Sequence, residues 1–313
     1  MSSGSGGRVN HVAVLGSANA DLVVEVLRRP GPGETLLGSD LRLFAGGKGA
    51  NQAAAASRSG ANVGFYACVG ADDYGTLIRT RLREAGVDTT GVTSTGRPTG
   101  TALIHVTPDG ENSIVVSPGA NHALDIAYAD ATAEDWSQAA VLVLNLESPL
   151  ETVEHVADVA ARRGVRVLVN AAPAQKLTAR TLSVCDPLVV NEHEARIVLD
   201  DDGSSSFADL AQSLLDSGAR SVVITLGAAG ALYGNPEGID TVPSYPVTVV
   251  DTTGAGDAFV GAVACELSRG RSLGEAVLFA SAVGALSVQG MGAQSSYPER
   301  RDVDALMETR GAS

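Results

Sequence analysis

Apolar residues fall in two rhythms along this 313-residue chain. Short unbroken runs at 11–16 (HVAVLG), 62–70, 141–146, 166–169, 188–190 and 221–225 leave no wet face, which predicts strands buried on both sides. Segments of helical period lie between them. In one, Val153, Val156, Ala157 and Ala160 share a face; another is an alanine-rich stretch after Lys48 that ends near Gly60. Further helices are predicted up to Gly86, from Asn191, and over 207–216, 258–267 (capped by Gly270) and 273–287, with a short one closing the chain. Alternating strands and helices predict a three-layer α/β/α fold around a mostly parallel sheet.

One region breaks this alternation. Residues 21–26 alternate polar and apolar, 36–44 reads as another strand, and 101–106 and 113–117 flank Pro108-Asp109-Gly110, a hairpin signal. These four predict a small separate β-sheet, a discontinuous lid from about 20–45 and 98–118 on a unit running over 11–313. Residues 1–10 begin with a Ser/Gly-rich stretch and are expected to be a disordered tail rather than a signal peptide.

A hydrophobic content of 44% fits a folded globule, and a net charge of −14 argues against a nucleic-acid partner while leaving a nucleotide ligand open. Cys68, Cys185 and Cys265 sit in apolar runs without zinc spacing and read as buried free thiols of a reducing compartment. With no run near the roughly 18 apolar residues of a membrane helix, a cytoplasmic protein is expected. The five histidines form no spaced cluster.

The chemistry concentrates at Asp251-Thr252-Thr253-Gly254-Ala255-Gly256-Asp257, a glycine-rich turn before a predicted helix. Unpaired amides and the helix dipole make such a turn an anion site. Asp257 then reads in two ways, as a base that takes a proton from an attacking hydroxyl or as a helix cap. The dinucleotide fingerprint fails, because Phe259 stands where its third glycine belongs. Gly46-Gly47-Lys48-Gly49-Ala50-Asn51-Gln52 likewise fails as a P-loop, having Arg42 in place of its first glycine and no Ser or Thr after Lys48. Asn19 and Asp21 follow the first strand as turn formers or as partners for sugar hydroxyls. Asn19, Glu147, Asn191, Gly227 and the 251–257 turn all fall past strand C-termini, where α/β sheets bind ligands, so one cleft collects them. The loop 290–296 could offer carbonyls to a cation, or be a plain surface turn.

With these residues together, the chain from about His11 to Pro298 resembles the PfkB-type carbohydrate kinases of the ribokinase-like superfamily. Both signature segments are present, 46–52 with its helix and 251–263. So are 16–21 (GSANAD), 32–35 (PGET), 119–121 (GAN), 146–149 (LESP), 224–227 (ITLG) and 292–294 (GAQ). The resemblance implies ATP-dependent phosphorylation of D-ribose at O5, with Asp257 as catalytic base and the amides of Gly254, Ala255, Gly256 and Asp257 as the anion hole. It implies sugar ligands at Asn19, Asp21, Gly46, Gly47, Lys48, Asn51 and Glu147. Mg²⁺ and phosphate fall to Asn191 and Glu194, and the adenine nucleotide to Thr225, Leu226, Gly227, Gly230 and Ser281. A K⁺ site is implied at Asp251, Thr253, Ser287, Gly290, Gly292 and Ser296. Two departures stand out: Asn170-Ala171-Ala172-Pro173 has Ala where many members carry Pro, and Ser281 replaces a common His or Asn.

A nucleoside (adenosine) kinase, another sugar kinase such as one for 2-deoxyribose, and a non-catalytic sugar-binding regulator are the competing readings. Asp21 and Glu147 beside Lys48 favour a free sugar, and the intact Asp257 and glycines disfavour a regulator. A homodimer through the small sheets, closure of that sheet over bound ribose, and activation by potassium are also expected.

Overall fold

The computed structural model describes residues 11–108 and 112–311. The expected tail at 1–10 and the hairpin residues Asp109 and Gly110 lie outside the described residues. In chain order the strands are β1 His11–Leu15, β2 Asn19–Glu25, β3 Arg42–Gly46, β4 Asn62–Gly70, β5 Val92–Thr95, β6 Gly100–Val106 and β7 Asn112–Ser117, followed by β8 Val141–Asn145, β9 Arg166–Asn170, β10 Cys185–Asn191, β11 Val222–Thr225, β12 Ala231–Asn235 and β13 Gly238–Val242.

Nine of them form one sheet in the order β13-β12-β11-β10-β9-β8-β1-β4-β5. Pairing is parallel from β5 to β11 and antiparallel for β12 and β13. Successive side chains of a strand point to opposite faces, and β1 feeds both cores. Val12 and Val14 join the core under the helices Lys48–Arg58, Ala255–Ser268 and Leu273–Ser287; Ala13 and Leu15 join the core under Leu150–Arg162 and Phe207–Asp216. All four are fully buried, which is why β1 reads as an unbroken apolar run.

The other four strands form the small sheet, in the order β3-β2-β6-β7. One face of it, carrying Leu43, Leu103 and Val115, is substantially exposed.

Three elements differ from the sequence expectation. The strand expected over 36–44 begins only at Arg42, because β2 pairing runs out at Val23↔Arg42, leaving 37–41 exposed. β10 starts at Cys185, three residues before the predicted 188, and its pairing with β9 shifts register between Cys185 and Leu188. The helix expected from Ala258 starts at Ala255, with Gly254 as N-cap. Unforeseen were β5, β12 and β13, each five residues or fewer. Cys68, Cys185 and Cys265 are buried free thiols. Among the described residues no helix is long and apolar enough to cross a membrane.

Candidate active site

The site starts at the N-terminus of the helix Ala255–Ser268. Gly254 takes φ 74°, a left-handed conformation that disfavours a side chain. A Cβ there would also lie 2.5 Å from the Ala293 Cβ and 2.6 Å from the Tyr297 hydroxyl, which donates to the Gly254 carbonyl at 3.0 Å. At Gly256 an added Cβ would meet nothing within 4 Å, so that position opens into the cleft. The amides of Gly254, Gly256 and Asp257 have no backbone acceptor among the described residues, leaving donors for an anion.

Asp257 lies three residues past the N-cap and caps nothing. Its Oδ2 accepts from Asn51 Nδ2 and its Oδ1 from Gln52 Nε2, each at 3.0 Å. The helix-cap reading of this residue is thereby overturned: the carboxylate turns away from its own helix end, toward Lys48–Arg58. Burial pushes its pKa up, while the Lys48 charge and the two amides pull it down.

Lys48–Arg58 brings the rest of this charged end together. The Lys48 amide and the Ser17 hydroxyl both donate to Oε2 of Glu147, at 3.1 and 2.6 Å. Asp257 chiefly, with Glu147 and Glu194, raises the Lys48 pKa against burial. Asp21 is pushed up to about 7, by burial first and then by Glu147 and Asp257. A side chain at Gly46 would displace the Asp21 carboxylate, since a Cβ there would fall 2.0 Å from it. Asn19 is buried, its Oδ1 taking a 2.7 Å bond from Asn121, which also accepts from the Ala18 amide. Asn19, Asp21, Gly46, Gly47, Lys48, Asn51, Glu147 and Asp257 are thus brought together at one charged end of the cleft.

The other end is more open. Asn191 and Glu194 close a reciprocal capping box at the start of Glu192–Leu199, with both bonds at 2.8 Å. Burial raises the Glu194 pKa, and the charges of Lys48 and Asp257 reach it, so it borders both ends. Past β11, Thr225, Leu226 and Gly227 line a hollow of about 470 Å³ together with Asn191, His193, Arg196 and Phe207. Gly230 supports that turn from behind, where a Cβ would strike the Val242 carbonyl at 2.0 Å. Ser281 stands apart: it is buried, and its hydroxyl bonds its own helix at Val277 O, 2.9 Å away.

The two proposed cation loops are joined by Asp251. Its Oδ1 accepts from the amide and hydroxyl of Thr253, and its Oδ2 from the Gly292 amide at 2.8 Å. Burial pushes its pKa up, but these bonds prevail and hold it below the usual carboxylate range. Ser287 and Ser296 donate their hydroxyl protons to Gly284 O and Ala293 O, which leaves hydroxyl and carbonyl oxygens alike as neutral oxygen donors. A charged carboxylate among carbonyls is an all-oxygen donor set that suits a hard cation. Among the described residues no three acidic, His or Cys side chains group to hold a metal.

Sequence reading missed the side chains behind the site: Ser17 on Glu147, Asn121 on Asn19, Gln294 on Asn51 at 3.0 Å, and Gln52 on Asp257. The stretches 119–121 and 292–294 had signalled two of them without a role.

A buried carboxylate beside unpaired helix amides, a lysine and polar side chains has the parts for moving a phosphoryl group onto a hydroxyl. Comparison with known proteins agrees. Residues 9–300 match the pfkB family carbohydrate kinase model. A ribokinase of Haemophilus influenzae is 39% identical over 300 residues, covering 95% of this chain and 98% of its own. The crystal structure of a ribokinase from Thermotoga maritima superposes with a TM-score of 0.88 at 36% identity, covering 95% of this chain and 99% of its own. The Arabidopsis thaliana ribokinase, solved with ribose and ATP, gives 0.85 at 31%, covering 95% and 98%.

Proposed function

This chain belongs to the pfkB family of carbohydrate kinases, and from that premise we propose that it transfers the γ-phosphoryl group of ATP to O5 of D-ribose, giving D-ribose 5-phosphate and ADP. The observation that carries the reading is the Asp257 carboxylate, held by two amide donors beside the open first turn of its helix.

In this mechanism Asn19, Asp21, Asn51 and Glu147 hold the sugar hydroxyls, with Gly46 and Gly47 allowing close approach and Lys48 balancing the charge. Asp257 accepts the O5 proton as the bond to phosphorus forms, a contribution of roughly 10²–10⁴-fold. The amides of Gly254, Gly256 and Asp257 receive the charge of the transferring group in a site poor in water, while that of Ala255, expected to join them, donates to the Thr252 carbonyl at 3.2 Å instead. Thr225, Leu226, Gly227 and Gly230 shape the nucleotide pocket, and Ser281 contributes bulk to it. Mg²⁺ bound with ATP neutralises phosphate charge, and Asn191 and Glu194 would hold it. Carbonyls of Ser287, Gly290, Gly292 and Ser296, with Asp251 and Thr253, would hold K⁺ and stiffen the anion turn.

The small sheet is a lid that closes over ribose, and its exposed apolar face, carrying Leu43, Leu103 and Val115, is the surface through which two cytoplasmic subunits pair. Light scattering at micromolar concentration should give a dimer mass, and a monomer there would remove the pairing.

A coupled ATPase panel across ribose, 2-deoxyribose, fructose and adenosine tests the reaction. Ribose should give the highest kcat/KM. A preference for adenosine would make this a nucleoside kinase, and a preference for 2-deoxyribose a deoxyribokinase. Ribose binding with no turnover on any acceptor would leave a sugar-binding regulator.

A further inference from the structure

Gln52 is fully buried in an alanine-rich helix, an environment that would favour an apolar side chain. Its Nε2 donates to two acceptors, Oδ1 of Asp257 and Oδ1 of Asn170, each at 3.0 Å. Both protons of the amide nitrogen are thereby used. Asn170 sets the orientation, because it spends its own Nδ2 on the Val189 carbonyl at 3.2 Å and so presents Oδ1, an acceptor, to Gln52. The Gln52 carbonyl oxygen, by contrast, is buried without a partner among the described residues. An orphaned acceptor is costly, so packing does not account for this residue; its two N–H bonds do.

We propose that Gln52 is a positioning residue for phosphoryl transfer, its amide, braced by Asn170 at the end of β9, holding the Asp257 carboxylate ionised and fixed in orientation. The inference rests on the reading of Asp257 as the base. It is distinct from sugar binding, because Gln52 sits one residue beyond the proposed ligand Asn51, and Asn51 is braced separately by Gln294.

The charges around Asp257 explain why a neutral donor matters. Lys48 favours its ionised form and Glu147 opposes it, while Asp21, Glu194 and Tyr297 all lie within its electrostatic reach. A third carboxylate-stabilising group that carries no charge offsets burial without adding to this crowd.

The experiment is the pH profile of kcat/KM for ribose in four proteins: the native chain, Gln52→Met, Gln52→Glu and Asp257→Asn. Removing a donor from the ionised base raises its pKa, so the acid limb should move to higher pH by about one unit in Gln52→Met. Activity should then be about tenfold lower on the acid side and converge with the native value at alkaline pH. Gln52→Glu keeps the size, adds a competing carboxylate, and should move the limb at least as far. Ribose affinity, measured by calorimetry, should stay within about twofold. An unmoved limb in both variants, or a loss equal at every pH, would overturn the proposal. Asp257→Asn separates the two levels: if it retains turnover, the reading of the base has failed. If it is inactive and the Gln52 limbs do not move, only the role of Gln52 has failed.

Discussion

At the charged end of the cleft, Asp21, Lys48, Glu147 and Asp257 come from four distant segments, and the two carboxylates Glu147 and Asp257 are held by hydrogen bonds from other side chains, Ser17 on the first and Asn51 and Gln52 on the second. At the open end, Asn191 and Glu194 bond mainly to each other, and the 225–230 turn bonds to itself through Leu226 N to Gly230 O at 2.8 Å and Gly230 N to Gly227 O at 3.0 Å. The contrast follows the work proposed for each end. Proton transfer needs a carboxylate that is desolvated and aimed, and desolvated charge persists only when braced. Holding a nucleotide needs shape and backbone donors, which a local turn supplies. The charged end should therefore be sensitive to single atoms and the open end tolerant.

The largest effect is expected at Asp257. Asp257→Asn keeps the size of the side chain but removes the lone pair that takes the proton. Turnover should fall by roughly 10²–10⁴-fold, with ribose affinity nearly intact by calorimetry. Since Asp257 does not cap its helix, the thermal midpoint should also be little changed. A variant that binds ribose and keeps most of its turnover would break the contrast at its strongest point.

Asp21 sharpens the comparison through stability. Its folded-state pKa, raised to about 7 chiefly by burial, lies far above the ordinary aspartate value of 3.8. Below about pH 4 both folded and unfolded chains hold this proton and the residue costs nothing. Between 4 and 7 only the folded chain holds it, so its contribution turns increasingly unfavourable as pH rises and levels off above 7. Asp21→Asn should accordingly raise the melting temperature of the ligand-free protein by a few degrees at pH 8 and leave it unchanged at pH 4, while ribose affinity falls. Equal melting temperatures at both pH values would mean that Asp21 is no buried charge in the resting site.

The same contrast governs what could be read before the fold was known. The buried parallel strands were legible because their runs have no polar break, and the two sheets were separable because only the small one alternates. The antiparallel strands β12 and β13 were not: each has only five residues, and in the edge strand β13 Asp240 and Thr241 interrupt the apolar pattern. Asp257 and Lys48 were legible from charge set inside glycine-rich turns. Asn121, Asn170 and Gln294 were not, because an amide acquires its role only from the partner that folding brings to it, and those partners lie 102, 118 and 243 residues away along the chain. The start of the Ala255–Ser268 helix was misjudged by three residues because glycines 254 and 256 read as loop. That shift decided whether Asp257 could cap.

The smallest effect is expected at Ser281, on the open side. Its hydroxyl already bonds the Val277 carbonyl, a turn earlier in its own helix, and a donor so engaged has little left for a ligand. Ser281→Ala removes one local bond and little of the bulk this position gives the nucleotide pocket, so the KM for ATP should stay within about twofold. Ser281→Asn instead pushes volume outward from a position that is only 7% exposed, and should change the KM for ATP while leaving ribose affinity alone. Steady-state titration of both substrates on the two variants distinguishes the cases. If Ser281→Ala weakens ATP by tenfold or more, the hydroxyl must leave its helix bond to meet the nucleotide, and the open end is then no more tolerant than the charged one.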